Sequence, residues 1–221
     1  MVIAEGEFYI SIIDNNSLVY DKLIIRIHND ESFYFDQLKK SATSIKEKVY
    51  YTLEAPKIKV YSKNVLAKAD RLWYISSEEF HRSKHAKKSV FLPVPINDVF
   101  QKFNKSNNEK VLFVGSLFMP NNIFALDWYL QNVHDSFLHR DKYELVIVGA
   151  VKSEAEKQKI INKYAKFKKV TLHFNQMDLA PFYRQSKVFI NPMFHGSGVK
   201  IKSIMALVNA LPLVSTTVGA E

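Results

Sequence analysis

The second half of the chain alternates short apolar runs with segments of helical periodicity, and this alternation restricts the fold more than any other feature. The apolar runs are rich in β-branched residues and occupy residues 110–114, 143–148, 170–174, 187–190 and 213–216. Strands that alternate with helices at this spacing form a mostly parallel sheet with right-handed crossovers. The sequence therefore predicts an α/β fold for this half.

The first half shows a shorter version of the same pattern. Strand-like runs occur at residues 22–28, 71–75 and 90–92, and helical periodicity extends over residues 31–69. Pro56 is expected to mark a boundary or a kink between helices there. Residues 96–109 are polar and contain no long apolar run. We interpret them as a linker between one domain at residues 1–95 and another at residues 110–221.

Apolar and aromatic side chains recur at helical spacing between residues 31 and 69. We expect this stripe to pack in the core rather than to form a binding surface. Its members are Phe33, Leu38, Val49, Tyr50, Leu53, Val60, Tyr61, Val65 and Leu66.

A glycine turn joins the run at 187–190 to a helical segment that carries two lysines. The turn is Gly196-Ser197-Gly198, and Lys200 and Lys202 follow it. Glycines allow a ligand to approach the backbone closely, and the amino end of a helix offers free N–H groups with a partial positive charge. This strand, turn and helix pattern indicates an anion site, with phosphate as the first expectation.

Several phosphate and catalytic motifs are excluded at this turn. No Gly-Lys-Ser/Thr follows it at Walker A spacing, and the dinucleotide pattern G-x-G-x-x-G is absent. A hydrolase nucleophile elbow fails too, because His195 and Val199 stand where glycines would flank Ser197. The alternative interpretation is a tight turn whose glycines are purely structural and whose lysines are solvated.

The composition narrows the partners. The formal net charge is +9 and is spread evenly, with +4 over residues 1–105 and +5 over 106–221. This distribution favours anionic partners such as nucleotide phosphates or an acidic membrane surface, and it disfavours a dedicated nucleic-acid face. No apolar run reaches the ~20 residues of a membrane span, the first residues do not form a signal peptide, and there is no cysteine. A cytoplasmic location is expected.

Four segments of the second half resemble the donor domain of GT-B glycosyltransferases. They are VLFVGSLFMPNNIFALDW (111–128), LVIVG (145–149), FINPMFHGSGVKIK (189–202) and LPLVSTTVGAE (211–221). The nearest likeness is to the family 4, or group 1, enzymes of bacterial surface polysaccharide biosynthesis. IIRIHNDE (24–31), YISSEEF (74–80) and FLPVPI (91–96) resemble the later part of that family's acceptor domain. The resemblance implies two Rossmann-like domains, both incomplete and apparently truncated at the outer ends.

The resemblance also implies a reaction and a set of site residues. The family transfers a sugar from a nucleotide-sugar to a glycan or lipid-linked acceptor with retention of configuration, and it needs neither a metal site nor a further cofactor. His28 is the candidate catalytic residue, in contact with the transferred sugar. The candidate donor and phosphate residues are Gly115, Ser116, Gly196, Ser197, Gly198, Lys200, Lys202, Gly219 and Ala220.

The sequence departs from the family pattern on the helix after the glycine turn. Met205 stands where the family has a glutamate, Ser197 where many members have an earlier acid, and Ala210 where the usual residue is glycine. A thioether is a poor substitute for a carboxylate that accepts hydrogen bonds from sugar hydroxyls. The alternative hypothesis is therefore a non-catalytic nucleotide-binding relic or fragment of such an enzyme.

Overall fold

The computed structural model of the protein describes residues 1–9, 19–96 and 109–220. These residues divide into two compact units. The first unit contains the described part of Met1–Ile96 together with His195–Val199, and the second contains residues 109–194 and Lys200–Ala220. The predicted linker, residues 96–109, lies almost wholly outside the described residues.

The first unit is built on a parallel sheet with strand order β1-β2-β3-β4 among the described residues. The strands are β1 (Val2–Glu5), β2 (Leu23–Ile27), β3 (Arg71–Tyr74) and β4 (Ser89–Phe91), and the helices are α1 (Glu31–Ser41), α2 (Ile45–Lys68) and α3 (Ser77–Arg82). Short 3-10 turns cover Glu7–Tyr9 and Ala86–Lys88. Ile25 pairs with both Ala4 and Leu72, and all three are buried. The sequence missed β1, which is only four residues long and ends at Glu5.

Pro56 does not mark a helix boundary, contrary to the prediction. It lies inside the continuous 24-residue helix α2, and the break between α1 and α2 falls at residues 42–44. Ser44 begins α2 with a capping box, since its side chain accepts from Glu47 N while the Glu47 carboxylate accepts from Ser44 N. Pro56 is exposed to solvent, and the packing of Ala55 and Val65 continues on either side of it.

The predicted core stripe is only partly in the core. Leu38 and Val65 are buried, and Tyr61 and Leu66 pack against the core. The prediction was wrong for a group of α2 side chains, which are between 54% and 62% exposed: Val49, Tyr50, Leu53 and Val60. The face of α2 that contacts the unit carries Ala55, Ser62 and Val65 instead. The helix therefore has a second apolar face that is turned to solvent.

The second unit has a parallel sheet with order β7-β6-β5-β8-β9. Its strands are β5 (Glu109–Val114), β6 (Tyr143–Gly149), β7 (Val170–Phe174), β8 (Val188–Asn191) and β9 (Leu213–Ser215). Its helices are α4 (Pro120–Asn132), α5 (Glu154–Tyr164), α6 (Ala180–Gln185), α7 (Ile201–Val208) and α8 (Thr217–Ala220), with a 3-10 turn at His134–Phe137. The α/β class and the alternating order predicted from the sequence are confirmed.

Two hydrophobic cores lie against this second sheet, because successive strand residues point to opposite faces. Phe113, Leu145 and Ile147 pack with residues of α4 and α5, including Leu126 and Tyr164. The other core contains strand residues that point to the opposite face: Leu112, Val146, Val148 and Phe189. Tyr183 of α6 and Ala206 of α7 pack with them. Helices thus cover both faces, which leaves the strand ends as the accessible edge.

The strand order reverses between β5 and β8. β5 pairs with β6 on one side and with β8 on the other, so successive crossovers run in opposite directions from this point. In open parallel sheets, ligands bind outside the carboxyl ends of the strands at such a switch point. The loops that follow β5, β6 and β8 are therefore where a site is expected in this unit.

Candidate functional site

A pocket of about 220 Å³ lies at the carboxyl ends of the second sheet's strands. Its lining residues come from the last residues of β5 and β6 and from the segments that follow β5, β6 and β7: Val114, Gly115, Ser116, Val148, Gly149, Ala150, Asn175, Gln176 and Leu179. A methyl group on Gly149 would lie 2.4 Å from Leu117 Cγ and 2.7 Å from Gly115 O. Glycine at position 149 is therefore required for the close approach of these two loops.

A chain of hydrogen bonds connects the loop after β5 to the first turn of α7. Asn122 Nδ2 donates to Ser116 O at 3.1 Å, and Lys202 Nζ donates to Asn122 Oδ1 at 2.8 Å. A methyl group on Gly115 would lie 3.1 Å from Asn122 Cγ, so this amide also packs against the glycine. The structure thereby brings together Gly115, Ser116 and Lys202, three of the residues that the sequence placed in a phosphate site.

The sequence does not single out Asn122. Pro120 is typical of a first helical turn and lies at the start of α4, but no motif in the sequence marks Asn122. The available signal was a polar side chain in the first turn of a helix that directly follows a glycine loop. A first-turn side chain at this edge of a parallel sheet can reach the adjacent loop.

Lys202 is a cation with reduced basicity. Burial, with the nearby charge of Lys200, lowers the pKa of Lys202 to about 7. Its Nζ lies 5.0 Å from the centroid of the Phe113 ring, and its hydrogen-bond acceptor is a neutral amide. An anion next to Lys202 would favour the charged form, so this lysine is suited to bind phosphate.

Lys200 precedes α7 and is also buried, with 6% of its surface exposed. A buried lysine is unusual unless its charge is compensated. The alternative interpretation, in which both lysines are solvated surface residues, is therefore wrong for Lys200. It also does not describe Lys202, whose amino group is desolvated.

The glycine turn belongs to the first unit, where Glu79 binds it. The Ser197 hydroxyl donates to Glu79 Oε1, and Gly198 N donates to the same oxygen at 2.9 Å. Gly196, Ser197 and Gly198 are all buried. The Gly198 N–H that was expected to face phosphate thus has a carboxylate partner in this structure.

Gly198 also requires the conformational freedom of glycine. Its φ is +69°, and a Cβ there would lie 2.5 Å from His28 O and 2.3 Å from the Asn29 side chain. The Asn29 amide, oriented to satisfy its partners, donates to Ser197 O at 3.3 Å. The turn is therefore held on both sides, by Glu79 from α3 and by the loop after β2.

Glu79 is the second residue that the sequence did not single out. Ser76 caps α3 by accepting from Glu79 N, and Glu79 lies in the first turn of that helix. Its residue surface is 2% exposed, and burial raises the pKa of the Glu79 carboxyl. The hydrogen bonds from Ser197 and Gly198 act against that rise by stabilising the ionised form.

His28 follows β2 and is half exposed. Its Nε2 lies 2.7 Å from Glu5 Oε2, and Arg26 Nη1 lies 3.5 Å from Glu5 Oε1. The hydrogen bond with His28 lowers the pKa of Glu5, and the charge of Arg26 lowers it further. Glu5 thus orients the His28 ring while leaving part of it accessible to solvent.

Two further carboxyl groups lie near the ends of β1 and β2. Burial raises the pKa of Glu7 to about 7 and that of Glu31 to about 6. Glu7 is 2% exposed, and its Oε2 lacks a hydrogen-bond partner among the described residues. Across residues 1–9, 19–96 and 109–220, no group of three or more histidines and acids is arranged to hold a metal ion.

Gly219 packs against the end of β8. A Cβ on Gly219 would lie 2.3 Å from Asn191 O and from Ser215 Oγ. Its carbonyl accepts from Asn191 Nδ2 at 2.8 Å and from Ser203 Oγ at 2.6 Å, which ties α8 to β8 and α7. Ala220, by contrast, is exposed.

Met205, which stands at the family's glutamate position, lies on α7 and is 41% exposed. Its side chain can neither carry charge nor accept strong hydrogen bonds. The structure shows a solvent-accessible position there that a longer polar side chain could occupy.

Comparisons with known proteins agree with this architecture. A family model described as glycosyl transferases group 1 matches residues 108–221. A Klebsiella pneumoniae protein, described as an uncharacterized 44.6 kDa protein in the cps region, is 35% identical over 228 residues. That alignment covers all of this chain and 58% of the relative, so the chain spans less than two thirds of that protein.

Solved structures share the fold at low sequence identity. The pneumococcal O-GlcNAc transferase GtfA, in complex with UDP and GlcNAc, has a TM-score of 0.59 at 16% identity over 89% of this chain and 37% of its own. S. aureus TarM has a TM-score of 0.65 at 13% identity, and the match covers 96% of this chain and 40% of TarM. Anabaena HepE, in complex with UDP-glucose, has a TM-score of 0.64 at 10% identity, and the match covers 97% of this chain and 59% of HepE.

Proposed function

The chain belongs to the group 1 glycosyl transferases and has their GT-B fold, and from this premise we propose that it transfers a sugar from a nucleotide-sugar to a glycan or lipid-linked acceptor. GtfA and HepE were solved with UDP and UDP-glucose respectively, which supports a nucleotide-linked donor for this chain. The capsule-region relative supports an acceptor in surface polysaccharide synthesis.

The observation that carries the proposal is the chain of contacts Ser116, Asn122 and Lys202 at the switch point of the second sheet. It combines a glycine loop, a helix amino end and a desolvated lysine at one strand edge. The leaving group of a nucleotide-sugar is a nucleoside diphosphate, on which negative charge develops as the glycosidic bond breaks. Lys202 and nearby backbone N–H groups would stabilise that charge without a metal ion.

We assign the remaining site residues to the same proposal. Residues 110–221 form the donor side and residues 1–95 the acceptor side, with the linker at 96–109. Gly219 and Ala220 would adjoin the donor, Lys200 would add charge, and His28 would contact the transferred sugar. Gly196, Ser197 and Gly198 would bind the diphosphate if donor binding displaced the Glu79 carboxylate from the Gly198 N–H, which would then donate to a phosphate oxygen. Transfer would retain the anomeric configuration, in the cytoplasm.

Calorimetric titration with UDP-, GDP- and dTDP-sugars tests donor binding. We expect one nucleotide class to bind, and Lys202→Ala to weaken its affinity by about tenfold or more, because one charge-assisted contact is lost. Lys142→Ala removes an exposed lysine that is not among the proposed site residues and serves as the control. Absence of binding to all three classes, or equal affinities in both variants, would contradict the proposed site.

Met205 favours a second candidate function, a nucleotide-binding protein that does not transfer sugar. The exposed thioether stands where the family has the glutamate that contacts donor hydroxyls, so binding and turnover could be separated. Nucleotide binding by the wild type without sugar transfer or donor hydrolysis, unchanged in Met205→Glu, would support this candidate. Transfer by the wild type, or its appearance in Met205→Glu, would support the enzyme.

A further inference from the structure

The outward face of α2 carries a continuous apolar stripe. Ile45, Val49, Leu53 and Val60 are 82%, 54%, 61% and 62% exposed, and Pro56 between them is exposed as well. Their spacings of four, four, three and four residues place all five on one side of a helix that turns ~100° per residue, within an arc of roughly 80°. The stripe runs along ~22 Å of the helix.

This stripe is not needed to hold the unit together. The opposite side of α2 carries Ala55, Ser62 and Val65, which are all buried, and Val65 belongs to the core cluster of the first sheet. A helix normally has one apolar face, which it buries, and a polar face toward water. Several large apolar side chains on one exposed face mark an interaction surface.

Lysines flank the stripe along both edges. Lys46 lies on one edge together with Lys57, whose Nζ is 2.7 Å from Glu54 Oε1. Lys48 and Lys59 lie on the other edge, and Lys63 follows Val60 at the end of the stripe. The acidic residues of α2, Glu47 and Glu54, lie on the side nearer the buried face. The exposed face of α2 is therefore apolar along its centre and positively charged at its margins.

Charge complementarity identifies the occupant of this face. A second copy of the chain would bring two lysine-edged stripes together, and like charges at an interface oppose association. An anionic bilayer surface satisfies both features, because headgroup phosphates attract lysines while apolar side chains enter the headgroup boundary. Tyr50, 54% exposed beside the stripe, is a residue type enriched at that boundary.

We propose that α2 docks the chain onto an anionic lipid surface, with its axis in the plane of the membrane and the Ile45–Val60 stripe inserted. Within the described residues, no helix has the length and apolar character required to cross a bilayer. None of the stripe residues is among the proposed donor residues, and the test of the docking does not depend on sugar transfer.

Vesicle flotation with purified protein tests this docking. With phosphatidylcholine vesicles containing about 40% phosphatidylglycerol, the wild type floats with the lipid, and with pure phosphatidylcholine it stays in solution. Raising the salt from ~0.05 M to ~0.5 M weakens the binding because exposed charges are screened. Ile45→Ser/Leu53→Ser/Val60→Ser lowers partitioning by about tenfold or more.

A charge variant and two matched controls separate docking from misfolding. Lys46→Gln/Lys59→Gln/Lys63→Gln keeps the apolar stripe and lowers partitioning by about tenfold or more. Val19→Ser/Met177→Ser changes two fully exposed apolar residues elsewhere, and Lys142→Gln/Lys159→Gln/Lys168→Gln removes three exposed lysines of the second unit. Both controls keep the wild-type partitioning. Circular dichroism melts show that every variant is folded.

Three results would overturn the proposal. They are failure of the wild type to bind anionic vesicles, equal loss in the control variants, and wild-type binding by the folded stripe variant. Sedimentation velocity in the absence of lipid tests whether a second copy of the chain occupies this face instead. A concentration-dependent dimer that the stripe variant abolishes would assign α2 to a second copy of the chain.

Discussion

Lys202 Nζ lies 2.8 Å from Asn122 Oδ1, so a partly buried cationic side chain is held by a neutral amide rather than by a carboxylate. The amide fixes the position of the ammonium group without neutralising its charge. Burial and the charge of Lys200 then lower the pKa of Lys202 to about 7. The charge state of this lysine therefore changes within the physiological pH range.

The affinity for a nucleotide-sugar is expected to depend on the titration of Lys202. A bound diphosphate raises the pKa of Lys202, so binding takes up a proton above pH 7 and affinity falls as pH rises. We expect a fall of up to about tenfold per pH unit above about 7, measured calorimetrically. Lys202→Arg stays charged throughout and should flatten the profile. A flat wild-type profile would contradict the assignment.

Gly198→Ala should destabilise the fold more than the same change at another glycine with positive φ. Gly198 has φ +69°, and its added methyl group would meet His28 O at 2.5 Å. Gly6, with φ +109°, has no atom within 4 Å of the corresponding position, so it reports backbone strain alone. We expect Gly198→Ala to cost ~2 kcal/mol more in urea unfolding, as overpacking against backbone does. Equal losses would show that the turn moves freely.

The contact between Glu79 and Ser197 should give a measurable coupling energy. Ser197→Ala, Glu79→Ala and the double variant form a thermodynamic cycle. Because the hydroxyl donates to a buried carboxylate, we expect a coupling free energy of ~1–3 kcal/mol in denaturant unfolding. The Ser186 hydroxyl donates to a backbone carbonyl, so pairing Ser186→Ala with Glu79→Ala provides a control with no expected coupling. A coupling near zero in the Ser197 cycle would refute the contact.

Glu7 should reduce stability as the pH rises. Burial raises the pKa of Glu7 from 4.5 to about 7, so the folded chain retains a proton that the unfolded chain releases. The stability contributed by this group is complete below pH 4.5 and is lost as the pH rises to about 7 and beyond. Thermal or urea unfolding of Glu7→Gln between pH 4.5 and 8 should show a relative gain of ~2 kcal/mol at the upper end. Glu78→Gln, at an exposed site, should show no such trend.

The strand and helix order could be read from the sequence because it rests on local signals. The β-branched runs are such signals, and those at residues 143–148 and 170–174 predicted β6 and β7 correctly. The helix boundary predicted at Pro56 was wrong because an exposed proline can be accommodated inside a long helix when packing continues on both sides. The burial predicted for Val49 and Leu53 was wrong because helical spacing defines a face of the helix but does not show what that face contacts.

The site could be predicted only in part, for a related reason. Glycine turns and nearby lysines are visible along the chain, so Gly115, Ser116 and Lys202 could be selected as candidates. The partners that fix them are far away in sequence: Asn122 is 80 residues from Lys202, and Glu79 is 118 residues from Ser197. Such pairs depend on which strand ends become neighbours, and no local pattern of residue types encodes that.

The Asn122 side chain is held at both ends, with Nδ2 on Ser116 O and Oδ1 on Lys202 Nζ. Its amide protons are therefore a built-in spectroscopic reporter. When Lys202 gains or loses its proton, the polarisation of the amide changes, and its side-chain nitrogen and proton chemical shifts move with it. A single NMR cross-peak could then follow both the titration of the lysine and the arrival of a diphosphate, without altering either group.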